Sequence, residues 1–380
     1  MKFRLSALAC AMSIAVSGTA WAETDIETLK AEVDALKQQV ESAAEWKRPV
    51  TLVHLAGYAD VGYTDSKSES GSFNVGTFSP IFHYQFNESV MLEAELEFEV
   101  DEEGNADVGV DYMTVDIFMG DHAALVVGKF LSPIGQFRQN FHPSWINKMA
   151  SAPVGFGHDQ AAPNAEVGAM VRGGFPLSGI YANYAAYLGN GPVLEEDGGE
   201  VEMIETPGLN KDGNGKKTGG GRFGLYFPAQ KLDLGISAAT GKVSVRSGSA
   251  SAGYTYDDSR SYDVLGADFT WHVNTLDLRG EYVKQEYGAQ ATSSAPDAGS
   301  WEAWYVQAAY GFGGAKWEAV LRYGEYDTPH ASKDRKQSMV GINYLFASNV
   351  VGKIDYEFND NPNAGQTADD RLLLQLAYGF

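Results

Sequence analysis

From residue 50 to the C-terminus, apolar and polar residues alternate with a period of two through sixteen short segments. The segments run near 51–63, 74–86, 90–100, 107–119, 123–130, 166–175, 180–188, 220–227, 232–240, 260–272, 275–287, 301–312, 316–326, 337–346, 350–358 and 370–380. Period-two alternation sends successive side chains to opposite faces of a strand. The connections alternate as strictly. Short ones such as Asn87-Glu88-Ser89, Gly120-Asp121-His122, Val273-Asn274 and Gly313-Gly314-Ala315 take turns with long polar ones at 64–73, 101–106, 131–165, 189–219, 241–259, 288–300, 327–336 and 359–369. A membrane barrel with tight turns at one end and loops at the other has this asymmetry, and a soluble sandwich has no physical reason to keep it. The expected fold is therefore all-β: a 16-stranded antiparallel transmembrane β-barrel, preceded by a short coiled-coil helix.

The two faces differ in kind. In 90–100, Leu92, Ala94, Leu96, Phe98 and Val100 share one face, and Glu93, Glu95, Glu97 and Glu99 share the other. Four carboxylates on one strand face cannot point at lipid, so they point into a wet lumen. Aromatics sit beside the short turns at Phe86, Phe175, Phe227, Trp271, Phe312, Trp317 and Phe346, and Tyr63, Tyr287 and Tyr326 sit near the opposite rim. Both sets are expected to form interfacial girdles. Two segments break the pattern. Pro80 lies in mid-strand and implies irregular pairing. Asp111 and Asp116 have opposite parity, so one must lie near a strand end, at a bulge or against a neighbouring subunit.

The N-terminus carries Lys2 and Arg4, a mostly apolar stretch from Leu5 to Val16, and the small-x-small site Ala20-Trp21-Ala22. Residues 1–22 read as a signal peptide. Its removal takes away Cys10, the only cysteine, and leaves 26 basic residues against 50 acidic ones, a net charge of −24. That surface argues against a nucleic-acid partner, and the cysteine-free chain excludes a disulfide framework. In residues 23–48, Ile26, Leu29, Val33, Leu36, Val40 and Ala43 follow a 3-4 spacing, the pattern of a coiled coil or of an amphipathic helix lying on its own domain. Residues 49–380 form the barrel, and an even strand count returns both barrel ends to one side.

Parity and loop position nominate the lumen charges. Arg172, Arg222, Arg279, Arg322, Lys353 and Arg371 should face inward, as should Glu93, Glu95 and Glu97. The long segment 131–165 interleaves Phe137, Phe141, Trp145 and Ile146 with Arg138, His142 and Lys148. Apolar anchors with polar heads suit a loop folded into the barrel mouth, or one packed over the rim or a subunit contact. Catalytic signatures are lacking: the seven histidines are dispersed, and no Gly-x-Ser-x-Gly or His-x-x-x-His pattern occurs. The Asn210-Lys211-Asp212-Gly213-Asn214-Gly215 run is superficially calcium-like, but Gly221 stands where a calcium loop needs its bidentate acid. No metal, cofactor or enzymatic activity is expected from these spacings.

The terminal strand Leu372 to Phe380, ending on an aromatic, resembles the assembly signal of bacterial outer-membrane proteins. With the strand count, Val127-Gly128-Lys129-Phe130-Leu131-Ser132-Pro133-Ile134-Gly135 and His142-Pro143-Ser144-Trp145-Ile146-Asn147-Lys148, the chain resembles outer-membrane porins. It looks most like the broad phosphate-selective porin O and P superfamily. The resemblance implies a Gram-negative outer-membrane location with the N-terminal helix in the periplasm, a homotrimer, and a constriction loop after the fifth strand. β-Branched residues at the coiled-coil a positions lean instead toward a dimer. The implied function is a water-filled channel for passive diffusion of ions and small hydrophilic solutes. The alternative is a structural or adhesive barrel. Phosphate selectivity is not expected, since the candidate loop has only Arg138 and Lys148 where phosphate-specific members have dense basic arrays. Cation against anion preference is left open.

Overall fold

In the computed structural model, residues 52–158, 160–314, 316–330, 333–360 and 369–380 are described. The expected signal peptide and coiled coil lie outside them. Sixteen antiparallel strands close into a ring. In ring order they are β1 (Leu52–Ser66), β2 (Ser72–Asn87), β3 (Val90–Val100), β4 (Ala106–Phe118), β5 (Ala123–Leu131), β6 (Ala165–Leu177), β7 (Ile180–Gly189), β10 (Thr218–Phe227), β11 (Leu232–Val243), β14 (Arg260–Val273), β15 (Leu276–Tyr287), β16 (Gly299–Phe312), β17 (Trp317–Asp327), β18 (Arg335–Ala347), β19 (Val350–Asp360) and β20 (Arg371–Gly379). All sixteen expected strands are present. Two further hairpins arise inside long loops: β8 (Val193–Asp197) with β9 (Glu200–Glu205), and β12 (Arg246–Ser249) with β13 (Gly253–Tyr256).

The ring closes between β1 and β20, where Tyr58 pairs with Gly379 and Ser66 with Arg371. The seam runs on to the last residue: Gly57 and Phe380 exchange both backbone hydrogen bonds at 2.9 Å. A closed ring leaves no unpaired edge to face lipid. The Phe380 ring stacks at 6.0 Å on both Phe78 and Tyr378. Gly57 has φ of +152°, and a Cβ there would stand 2.4 Å from the Ser79 carbonyl oxygen and 2.7 Å from the Phe380 ring. Gly57→Val should therefore destabilise the seam by about 1–3 kcal/mol through backbone strain and overpacking. The measurement is the fraction of heat-modifiable, folded protein on cold SDS gels, with Gly104→Ala as the control because a Cβ at Gly104 meets nothing within 4 Å.

The outer face is apolar, with Leu55, Ile236, Leu265, Leu321 and Ile354 all more than half exposed. Phe86, Phe175, Trp271, Phe312, Trp317 and Phe346 are exposed beside the short turns, as a girdle requires. The opposite girdle differs from expectation. Tyr287 and Tyr326 are buried inside, packed with Trp301 and Tyr305. Each shares parity with an inward arginine, Arg279 or Arg322, so alternation decides against the lipid face. At that rim Tyr63 instead packs on the exposed Phe73 at 5.0 Å. The pairing around Pro80 is irregular, with a register shift between Ala59 and Val61 on the neighbouring strand.

Candidate functional site in the barrel lumen

The segment between β5 and β6 does not extend away from the barrel. It runs through one π-helical turn, Phe137–Phe141, and spreads across the bore. Three sets of contacts hold it. First, Gly135, with φ of +73°, turns the chain against β15. The backbone N–H groups of Gln136 and Phe137 then both donate to Glu281 Oε2, at 3.2 and 3.0 Å. The Gln136 side-chain amide reaches Asp233 and Asp268, each at 2.9 Å. Second, Phe137, Val154, Phe156, Ala161 and Ala162 enter one apolar cluster with Tyr262, Val264, Val283 and Tyr305 of the inner wall. Leu194, Val201, Ile204, Val243 and Val245 from the loop hairpins and their flanks join the same cluster. Third, residues 144–152 lie on β17–β19. Lys353 Nζ donates to the Ser144 and Met149 carbonyls at 2.5 and 3.1 Å. Arg322 donates to the Ser151 and Ala152 carbonyls at 2.9 and 3.0 Å. Asp355 accepts from the Ala150 N–H at 2.6 Å.

The loop spans the full bore at its middle. Phe141 lies under the Arg279 guanidinium of β15, 4.2 Å from its ring centroid. The next residue, His142, reaches β3, with Nε2 3.6 Å from Glu95 Oε1. β3 and β15 hold the third and eleventh places in a ring of sixteen, so they are diametrically opposed.

The nominated basic residues all lie on the inner side, and most are engaged. Arg222 makes a two-pronged contact with Asp268 at 2.8 and 2.6 Å and also donates to Asp233 and Asn183. Arg279 pairs with Asp277 at 3.2 Å, Lys148 with Glu318 at 2.8 Å, and Arg371 with Glu357 at 2.5 Å. Arg172 pairs with Asp116 at 2.7 Å but keeps a side chain that is 45% exposed. Arg138 is buried in the π-helical turn, 7% exposed. Among the acids, Glu93 accepts from Tyr112 at 3.2 Å and faces His83 at 3.4 Å.

Asp111 resolves the parity conflict in β4. Glu95 pairs with Tyr112 and Leu96 with Val110, so Asp111 is an extra residue at a bulge. A bulge re-aims a side chain, and here it brings Asp111 to the lumen face beside Glu97 and Glu95. Sequence reasoning had the signal, two aspartates of opposite parity, but not its outcome. It missed Gln136, Asp233 and Asp268, for which no local pattern announces a role.

Between the loop and the β2–β7 wall lie two polar cavities. A cavity of about 220 Å³ is lined by Glu93, Glu95, Tyr112, His142 and Arg172. A second, of about 470 Å³, extends to the short turn Gly120-Asp121-His122. Gln139, Asn140 and Arg172 line both. Outside the spanning strands, a Lys333 hydrogen bond holds the Glu202 carboxyl below its usual range, one of several charge contacts that tie the outer loops together.

No protein-family model and no curated protein sequence matches the chain. Solved structures do. The outer-membrane channel DcaP of Acinetobacter baumannii aligns with a TM-score of 0.61 at 11% identity, covering 87% of this chain and 97% of the other. An anion-selective porin from Comamonas acidovorans aligns at 0.59 and 13% identity, covering 87% and 100%. OmpT, an outer-membrane protein of Vibrio cholerae, aligns at 0.57 and 12% identity, covering 87% and 98%. At these identities the likeness is one of fold: the chain has the sixteen-stranded barrel of the outer-membrane porins.

Proposed function

We propose that this protein is an outer-membrane channel for passive diffusion of ions and small hydrophilic solutes. The observation that carries the reading is the contrast between an apolar outer wall and a charged bore narrowed by an inserted loop. A fold of this size encloses water unless it is plugged, and the loop leaves room along β2–β7. The candidate passage residues are Glu93, Glu95, Glu97, Arg172, His142 and the loop amides Gln139 and Asn140. Lys148, Arg222, Arg279, Arg322, Lys353 and Arg371 serve mainly to seat the loop and stiffen the wall, because each faces a carboxylate or a loop carbonyl. The acids of β3 and β4 then set the field, and the channel prefers cations. The chain assembles as a trimer in the outer membrane, with its N-terminal helix in the periplasm. Mass in detergent with and without residues 23–46 tests the contribution of that helix.

Planar-bilayer recording of the purified protein tests the function. Discrete conductance steps are expected, with a reversal potential in a salt gradient that reports cation preference. Glu95→Gln with Glu97→Gln should reduce the cation-to-anion permeability ratio by about two-fold or more. An absence of steps under every salt condition sinks the channel reading. Steps with an unchanged ratio would place these two acids away from the path.

A further inference from the structure

We propose that Glu95, Asp111 and His142 form a binding site for a divalent first-row transition-metal cation, one that ties the inserted loop to the barrel wall. The three residues come from β3, the β4 bulge and the loop. One ligand atom from each lies within 4.8 Å of the others. The group is more than an acidic cluster, because an imidazole is aimed into it. The His142 side chain is 10% exposed, and neither ring nitrogen has a protein hydrogen-bond partner among the described residues. Glu95 is 1% exposed, and its Oε1 likewise accepts no hydrogen bond. Buried polar atoms left in this state are costly unless something satisfies them. The local amine, Lys129, acts on Asp111 by charge but spends its short hydrogen bond on the Val110 carbonyl, at 2.5 Å. Tyr58 packs edge-on to the imidazole at 6.1 Å and limits its rotation.

The donor set selects the class of ion. Two carboxylates and one imidazole suit zinc, manganese or iron, whereas magnesium and calcium favour all-oxygen shells. Metal–ligand bonds of about 2.0–2.2 Å put tetrahedral ligand atoms roughly 3.3–3.6 Å apart. His142 Nε2 and Glu95 Oε1 already stand at 3.6 Å, so closing the site needs only a side-chain adjustment at Asp111. The bulge is the structural requirement: without the extra residue, Asp111 would not share the lumen face with Glu95.

Binding does not depend on the channel reading, but its electrical consequence does. A bound cation would neutralise acid charge beside the passage and pin His142 to the wall, so it should lower conductance. The test uses full-length protein in detergent, stripped with a chelator and titrated with zinc chloride by calorimetry. About one zinc per chain is expected, with excess magnesium unable to displace it. Asp111→Asn and His142→Gln should each weaken binding about tenfold or more. His83→Ala, which removes the exposed His54–His83 contact, should leave it unchanged. Heat-modifiability on cold gels identifies any variant that fails to fold, and the other ligand variant then decides. No zinc binding, or equal affinity in the folded ligand variants and the wild type, overturns the site. Zinc that binds specifically without any bilayer conductance supports the site and counts against the channel reading.

Discussion

Glu281→Ala should raise single-channel conductance by about two-fold and make the open level noisier, because pore radius governs flux. Glu281 is buried on β15, and its Oε2 takes the N–H groups of both Gln136 and Phe137. Hydrogen bonds to a buried carboxyl group contribute about 0.5–1.5 kcal/mol each, and orphaning buried donors adds a further cost. The apolar cluster around Phe137, Phe156 and Tyr305 would still hold the loop's flank. The expected result is thus a loosened loop, not an expelled one. Glu281→Gln keeps an acceptor and should have a smaller effect. Gly135→Val attacks the same joint from the loop side, since a Cβ there would stand 1.6 Å from Glu281 Oε1. Bilayer conductance equal to wild type in both Glu281→Ala and Gly135→Val would show that the apolar contacts alone seat the loop.

The second large effect concerns the wall. Arg222→Leu should destabilise the folded barrel by about 3–5 kcal/mol, the usual cost of removing one partner from a buried charge network. Arg222 is the hub between β7, β10, β11 and β14, with its guanidinium on Asn183, Asp233 and Asp268. Asp268 has a side chain only 2% exposed, so its charge would be stranded. Arg222→Lys should recover little, because an ammonium cannot reproduce the two-pronged contact. Urea unfolding in lipid vesicles, followed by tryptophan fluorescence, measures the shift in midpoint. A midpoint unchanged in Arg222→Leu would mean that water in the bore solvates these acids well enough without their cation.

The barrel was legible because its determinants are local and repeated. Alternation chooses the face, and the membrane makes the wrong face expensive, so Glu93, Glu95 and Glu97 could be assigned inward from one strand alone. The strand bounds agree to within about three residues because turn positions such as Asn274 and Ser178 adopt positive φ at the expected places. Tyr287 and Tyr326 were misassigned by reading their closeness to the rim before their parity. The inner site was legible only in its parts. Arg222 could be placed in the lumen, but its partners Asp233 and Asp268 lie 11 and 46 residues away. His142 meets Glu95 on the β3 wall, a pairing that depends on how far the loop reaches. Such contacts are set by tertiary distance, for which a single sequence has no periodic signature.

The loop's third set of contacts has a bearing on how such a protein can change over generations. Arg322 and Lys353 grip main-chain carbonyls at Ser144, Met149, Ser151 and Ala152. Every residue type carries that oxygen. Ser144, Met149 and Ala152 can therefore be rewritten by mutation without loosening the grip, provided the new side chain fits, whereas the Ser151 hydroxyl also accepts from Arg322 at 3.0 Å. The seat of the segment on β17–β19 is thus largely separated from its side-chain identities, while the two bases that hold it stay fixed.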